Sequence, residues 1–192
     1  MKKNGYTLIE VLAAVSIFFI ASTALLTFFM NAVKAQRTAL SSQELVDNIS
    51  YSMEYMSRAL RMAKKDDVNG INCLSGNKVN YEVTRGGFGI KFRTYDDHCQ
   101  EFFLETDPVS GIKRLKEWKD VDGGSSNYLT SENMEITDFT IGPIDSWDQN
   151  DNEQSKVTIF LKAVGLNSAD SDSPTTLEIQ TTVSQRNLDV RY

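Results

Sequence analysis

The chain has 192 residues, of which 41% are hydrophobic, and carries 20 Lys and Arg against 26 Asp and Glu for a net charge of −6. That length holds one domain plus an additional element. The acidic balance excludes broad binding along a nucleic-acid backbone, which needs clustered Lys and Arg, and leaves room only for a small local basic patch.

The first element is a short basic start, with Lys2 and Lys3, followed by a long apolar run. From Val11 to Met30 there are twenty residues without a charge, about 30 Å of helix and enough for a bilayer core. A secretory signal peptide has a shorter apolar region and a small-residue cleavage site behind it. Here the run is longer, no clear Ala-x-Ala site follows, and the helical pattern continues. A plain signal anchor accounts for the length but not for Glu10. A carboxylate near the end of a membrane helix costs about 2–3 kcal/mol unless a partner satisfies it. No basic residue lies on its helix face within one turn, so the expected partner is on another chain. Lys2 and Lys3 precede the run while Lys34 and Arg37 follow it, so loop charge alone barely sets the orientation.

The stretch "KKNGYTLIEVLAAV" resembles the type IV prepilin leader and processing site. Gly5, Thr7, Leu8, Ile9, Glu10, Val11 and Leu12 match in one contiguous block. The resemblance implies a pilin or pseudopilin with a cytoplasmic leader at residues 1–5, holding Lys2 and Lys3. Prepilin peptidase would cut between Gly5 and Tyr6 and then N-methylate Tyr6. Phe is commoner than Tyr at that position. Removal of the leader leaves 18 basic against 26 acidic residues, a net charge of −8. Glu10 would pair with the Tyr6 ammonium of a neighbouring subunit, a buried pair that sets register more than stability. The resemblance further implies a single-pass inner-membrane protein with a cytoplasmic N-terminus and an extracytoplasmic body. Its partners would be membrane lipid, other pilins or pseudopilins and the inner-membrane assembly platform.

No Gly or Pro occurs between Tyr6 and Gly70, which predicts one helix from Tyr6 to about Ala63, near 87 Å long. Residues 6–30 form its transmembrane half and 31–65 its amphipathic half. Val46, Ile49, Met53, Met56, Leu60 and Ala63 recur in steps of three and four, the mark of one buried face. The methionines on it are core packing rather than a recognition surface. Arg37, Glu44, Asp47, Arg58 and Arg61 stay largely off that face. Many major pilins carry a Gly and a Pro in the membrane half; their absence here implies a stiffer helix.

Residues 66–192 read as a β-rich body. "KKDDVNGINCLSGN" ends the helix in turn formers. "KVNYEV" and "GIKFRT" flank "TRGG" as a hairpin, and "QEFFLET" and "GIKRLKEW" flank "DPVS" as a second. "NMEITDFTI", "SKVTIFLKAV" and "TTLEIQTTVS" bring the total to about seven strands. Their period of two predicts an antiparallel sheet with one face on the helix. The fold class is therefore α+β, and the resemblance implies the pilin fold. Cys73 and Cys99 lie in this exported body, where a pair is more often bridged than free; two buried thiols are the alternative. A bridge closing a loop of this size contributes about 3–4 kcal/mol. "SMEYMSRALRMAKK", "YLTSENMEITDFTI" and "TTVSQRNL" resemble J-type minor pseudopilins and W-type minor pilins.

Catalytic signals are sparse. The single histidine, His98, adjoins Cys99, but a Cys–His nucleophile needs a free thiol and an orienting group. "RGGFG" lacks the Lys-Ser/Thr ending of a phosphate loop. Asp148, Asn150 and Asn152 alternate as in the start of a calcium loop, yet Glu153 stands where glycine should and Ile159 at the twelfth position; a solvated acidic loop is the default. No cofactor or catalytic residue is expected. The resemblance implies a non-enzymatic minor subunit that primes assembly of a type IV pilus or type II secretion pseudopilus near its tip. The rival is a tip-located binding module for a surface, DNA or secreted cargo. An anchored enzyme with a borrowed leader finds no catalytic cluster to support it.

Overall fold

A computed structural model describes residues 5–66, 73–75, 79–121, 123–147, 154–166 and 174–186. A single helix, α1 (Leu8–Arg61, 54 residues), opens the chain, about 81 Å long. Its two halves differ in what they touch. Leu45, Ile49, Ser52, Met53, Met56 and Leu60 are buried, whereas every residue from Leu8 to Leu40 except Ser22 and Val33 is largely open. Leu45 rather than Val46 begins the buried stripe, at 2% against 41% exposure. The 3–4 spacing admits either residue, and packing chooses the larger one. Arg37, Glu44, Asp47, Arg58 and Arg61 are exposed.

The body holds two antiparallel sheets in place of the single sheet expected. The first orders β1 (Tyr81–Thr84), β2 (Gly89–Arg93), β3 (Cys99–Thr106), β4 (Lys113–Lys119) and β5 (Ser125–Tyr128). The second orders β6 (Met134–Gly142), β7 (Lys156–Gly165) and β8 (Thr176–Ser184). Both predicted hairpins form. The β1–β2 turn passes through Gly86 and Gly87 at φ 66° and 107°, backbone that side chains resist. β5 has no alternation to announce it: all four residues of "SSNY" are exposed. In β6 a bulge falls between Ile136 and Asp138. It resets the period so that Met134 and Ile136 before it, and Phe139 and Ile141 after it, all face inward.

One core joins the helix stripe to both sheets, with Ile90, Phe92, Phe102 and Leu115 from the first and Val157, Ile159, Leu161 and Ala163 from the second. The far end of α1 is pinned to the body. Tyr81 donates its hydroxyl to the Leu60 carbonyl at 2.8 Å, and the Gln185 side chain donates to the Ala63 carbonyl at 2.6 Å. The Arg186 amide donates to the Arg61 carbonyl at 2.8 Å. These bonds give the Arg61 and Ala63 carbonyls partners at the helix end and add one to the Leu60 carbonyl, which also accepts from the Ala63 amide at 3.2 Å.

Candidate functional site

The residues singled out at the N-terminus lie together at the start of α1. Gly5 and Tyr6 precede the helix outside any regular element and are exposed, Tyr6 at 90%. A Cβ placed on Gly5 would meet nothing within 4 Å, so the fold itself makes no demand for glycine there. Thr7 is the N-cap, at φ −81° and ψ 151°. Its hydroxyl accepts from the Glu10 amide at 3.4 Å, and the Glu10 carboxylate accepts from the Thr7 amide at 2.9 Å and the Thr7 hydroxyl at 2.8 Å. This is a reciprocal capping box. Glu10 therefore has neutral hydrogen-bond donors within its own chain, a local partner that the absence of a basic residue on its helix face does not reveal. The spacing Thr-x-x-Glu carried that information in the sequence.

Behind the box, α1 is long and apolar enough to cross a membrane, and its most apolar stretch is wholly unburied. The hydroxyls in that stretch bond within the helix. Ser16 donates to the Leu12 carbonyl at 2.8 Å, Thr23 to Ile20 at 2.9 Å and Thr27 to Thr23 at 2.9 Å. No hydroxyl donor among these three needs water, which suits a hydrocarbon surrounding.

Residues 1–26 match a family model described as the prokaryotic N-terminal methylation motif. The chain carries a prepilin-type N-terminal motif. That motif supports a type IV pilin or pseudopilin subunit, with a structural rather than an enzymatic role. It implies processing by prepilin peptidase, assembly with other pilins and membrane anchoring through the one N-terminal helix. No curated protein and no solved structure matches the chain.

In the body, Cys73 and Cys99 are joined by a disulfide, their Cα atoms 5.4 Å apart. Cys99 thus offers no thiol to His98, whose amide donates to the Thr94 hydroxyl at 3.0 Å. A buried carboxylate, Asp66, holds the other side of the bridge. It accepts from the Leu74 amide at 2.7 Å and lies 3.7 Å from the Arg93 guanidinium. Lys2, Lys3 and the calcium-loop residues Asp148, Asn150 and Asn152 lie outside the described residues. Among the described residues, no three His, Cys, Asp or Glu side chains cluster to hold a metal.

A cleft of about 450 Å³ opens between the last turns of α1 and the inner face of the first sheet, lined by Tyr55, Met62, Tyr95, His98 and Lys119 among others. Its polar floor is internally satisfied. The Tyr55 hydroxyl donates to Glu117 at 2.5 Å and accepts from Lys119 at 2.7 Å, while Gln100 also donates to Glu117. Burial, with Glu117 as acceptor, pushes the Tyr55 phenol above its ordinary range. Glu117 and Gln100 escaped the sequence reading because a strand pattern gives no sign that two inward polar residues will meet.

Proposed function

We propose that the chain is a minor pilin or pseudopilin that helps to initiate assembly of a type IV pilus or type II secretion pseudopilus and sits near its tip. Prepilin peptidase cuts between Gly5 and Tyr6 and methylates the Tyr6 amine. The leader residues Lys2 and Lys3 stay cytoplasmic, and the body lies beyond the inner membrane. The observation that carries this reading is the N-terminal methylation motif over residues 1–26, set directly ahead of an exposed apolar helix. The exposed Gly5–Tyr6 bond supports it, since it precedes the helix and leaves a peptidase room to act.

In the unassembled subunit the capping box holds the Glu10 carboxylate. On assembly, that carboxylate meets the Tyr6 ammonium of the neighbour below. Two charges that each cost free energy in lipid then neutralise one another, and their contact sets the axial register. The inner-membrane assembly platform and other pilins are the working partners. The two-sheet body, richer in strands than a major subunit needs, supports the J-type or W-type minor class.

Mass spectrometry of the native protein tests the processing. The expected N-terminal peptide begins with methylated Tyr6. An intact Met1, in cells whose other prepilins are trimmed, overturns the assignment. Quantitative proteomics of sheared filaments tests the minor role: the chain is expected at a small fraction of the most abundant subunit.

A further inference from the structure

The cleft at the far end of α1 is walled on three sides. Ala59 and Met62 border it from the helix, Gln100 and Lys119 from β3 and β4, and Tyr95, Asp96 and His98 from the turn between β2 and β3. Its volume of about 450 Å³ lies in the range of sites that take small molecules.

The floor network fixes its members without using all that they offer. Tyr55, Gln100 and Lys119 converge on one oxygen of Glu117, Oε1. The Lys119 ammonium has three donors. One reaches the Tyr55 hydroxyl at 2.7 Å and one Glu117 at 3.0 Å, and no other described residue accepts the third. Gln100 is only 3% exposed. Its amide nitrogen is spent on Glu117, and among the described residues nothing donates to its oxygen. A buried amide oxygen of this kind calls for a donor from whatever fills the space beside it. His98 bonds Thr94 through its backbone, which leaves its ring, a donor at one nitrogen and an acceptor at the other when neutral, without a hydrogen bond among the described residues.

Charge narrows the ligand. The two cations of the wall each have a carboxylate partner, Arg58 with Glu54 and Lys119 with Glu117. Asp96 adds a negative charge with no ion pair among the described residues. An anion would meet Asp96 and Glu117, and a cation would meet Arg58 and Lys119. A hydrocarbon would leave the Lys119 donor and the Gln100 oxygen unanswered, at the cost of a lost hydrogen bond for each.

We propose that this cleft binds a neutral saccharide, with the exposed Tyr95 ring, Ala59 and Met62 against the C–H face of a pyranose and Lys119, Gln100, Asp96 and His98 bonded to its hydroxyls. Each hydroxyl both donates and accepts, so one ring answers the Lys119 donor and the Gln100 oxygen together. The network on Glu117 holds both groups in place before the sugar arrives, which lowers the ordering cost of binding. On the anchored reading given above, Tyr55 stands about 38 Å beyond Met30 along α1, out of reach of headgroups in the chain's own bilayer. The sugar therefore comes from outside that membrane.

The test is saturation-transfer difference NMR on the full chain in phosphatidylcholine nanodiscs, which contain no sugar. Cellobiose, lactose and maltose are the probes, and glucuronate is the charged control. At least one disaccharide is expected to take up saturation on its ring C–H protons, and glucuronate none. Tyr95→Ala removes an exposed ring and is expected to weaken binding by about tenfold. Asp96→Asn, also at an exposed position, is expected to weaken it severalfold. Both are expected to keep the native circular dichroism, and Tyr51→Ala, an exposed ring outside the cleft, is expected to bind as the native chain does. No saturation of any disaccharide, a preference for glucuronate, or unchanged binding in either cleft variant overturns the inference. A lipid carrying the bound disaccharide, placed in the same nanodisc, is expected not to compete with the free sugar; competition overturns the outside source. Sugar binding reads the cleft whether or not the chain enters a filament, and N-terminal mass spectrometry reads the filament assignment separately.

Discussion

The Glu10 carboxylate folds back onto Thr7, taking hydrogen bonds from its amide at 2.9 Å and its hydroxyl at 2.8 Å. One side chain therefore serves two purposes, as a helix cap in the lone subunit and as the proposed counter-charge in the assembly. Substitution separates them. Glu10→Gln keeps an acceptor for Thr7 but loses the charge, whereas Glu10→Ala loses both. We expect both variants to be cut normally and both to be poorly incorporated into filaments at native expression. Thr7→Ala weakens the helix start by about 1 kcal/mol but leaves the charge, and is expected to assemble. Immunoblots of sheared filaments read the result; full incorporation of Glu10→Gln would reduce Glu10 to a cap.

The start of the buried stripe gives a sharper test of the fold. Leu45 is in the core and its neighbour Val46 is not. Leu45→Ala is expected to destabilise the body by about 2–5 kcal/mol through the cavity it leaves. Val46→Ala stays within about 0.5 kcal/mol. Urea unfolding of the full chain in micelles, followed by tryptophan fluorescence, reports both.

What was legible in the sequence followed the strength of the period. The helix, both hairpins and the three long strands declared themselves through regular alternation or 3–4 spacing. β5 did not, because "SSNY" is exposed on both faces and its place is fixed only by pairing with β4. The split into two sheets was equally hidden, since period-two patterns say which face is buried but not which strands are neighbours. At the N-terminus, Gly5, Tyr6 and Glu10 were legible by resemblance. The Thr7 cap is encoded in the Thr-x-x-Glu spacing, whereas the cost of a charge in lipid points instead to a counter-charge. Ser52 illustrates the remainder. It is fully buried in the helix stripe and donates to the Leu129 carbonyl at 3.0 Å, a contact across 77 residues that no local pattern encodes.

The Cys73–Cys99 bridge ties the segment after α1 to the start of β3. Its loss is expected to lower stability by about 3–4 kcal/mol on the chain-entropy argument. Thermal unfolding of the full chain in micelles, with and without reductant, measures the effect. The Cys73→Ser/Cys99→Ser variant should match the reduced protein and be indifferent to reductant.

Asp107 sets the pH behaviour of the β3–β4 hairpin. Its carboxylate accepts from the Val109 amide at 2.9 Å and the Ser110 amide at 3.4 Å, and pairs with Arg114 at 3.4 Å. The Val109 amide foremost, helped by Ser110 and Arg114, holds the group below the ordinary aspartate range. A depressed folded value means the unfolded chain takes up the proton first. The contribution is thus complete above the ordinary aspartate pKa of about 4 and is lost as pH falls through the lower folded value. Asp107→Asn keeps an acceptor for Val109 but cannot titrate. Its melting temperature is expected to lie below that of the native chain at neutral pH and to approach it on acidification; parallel curves at all pH values would refute the assignment.

The floor of the cleft offers the last test, because its groups depend on one another. Tyr55 donates to Glu117 and accepts from Lys119, and Gln100 donates to the same carboxylate. Tyr55→Phe removes a donor from the buried Glu117 and an acceptor from Lys119 at once, with little change in volume. The expected cost is about 1–3 kcal/mol, the penalty for a buried polar group left short of a partner. Glu117→Gln, by contrast, keeps an acceptor for Tyr55 while removing the anion that pairs with Lys119 at 3.0 Å. If the three groups act as a unit, the double variant costs less than the sum of the singles. Denaturant midpoints for the four proteins close that cycle, and strict additivity would show the contacts to be independent.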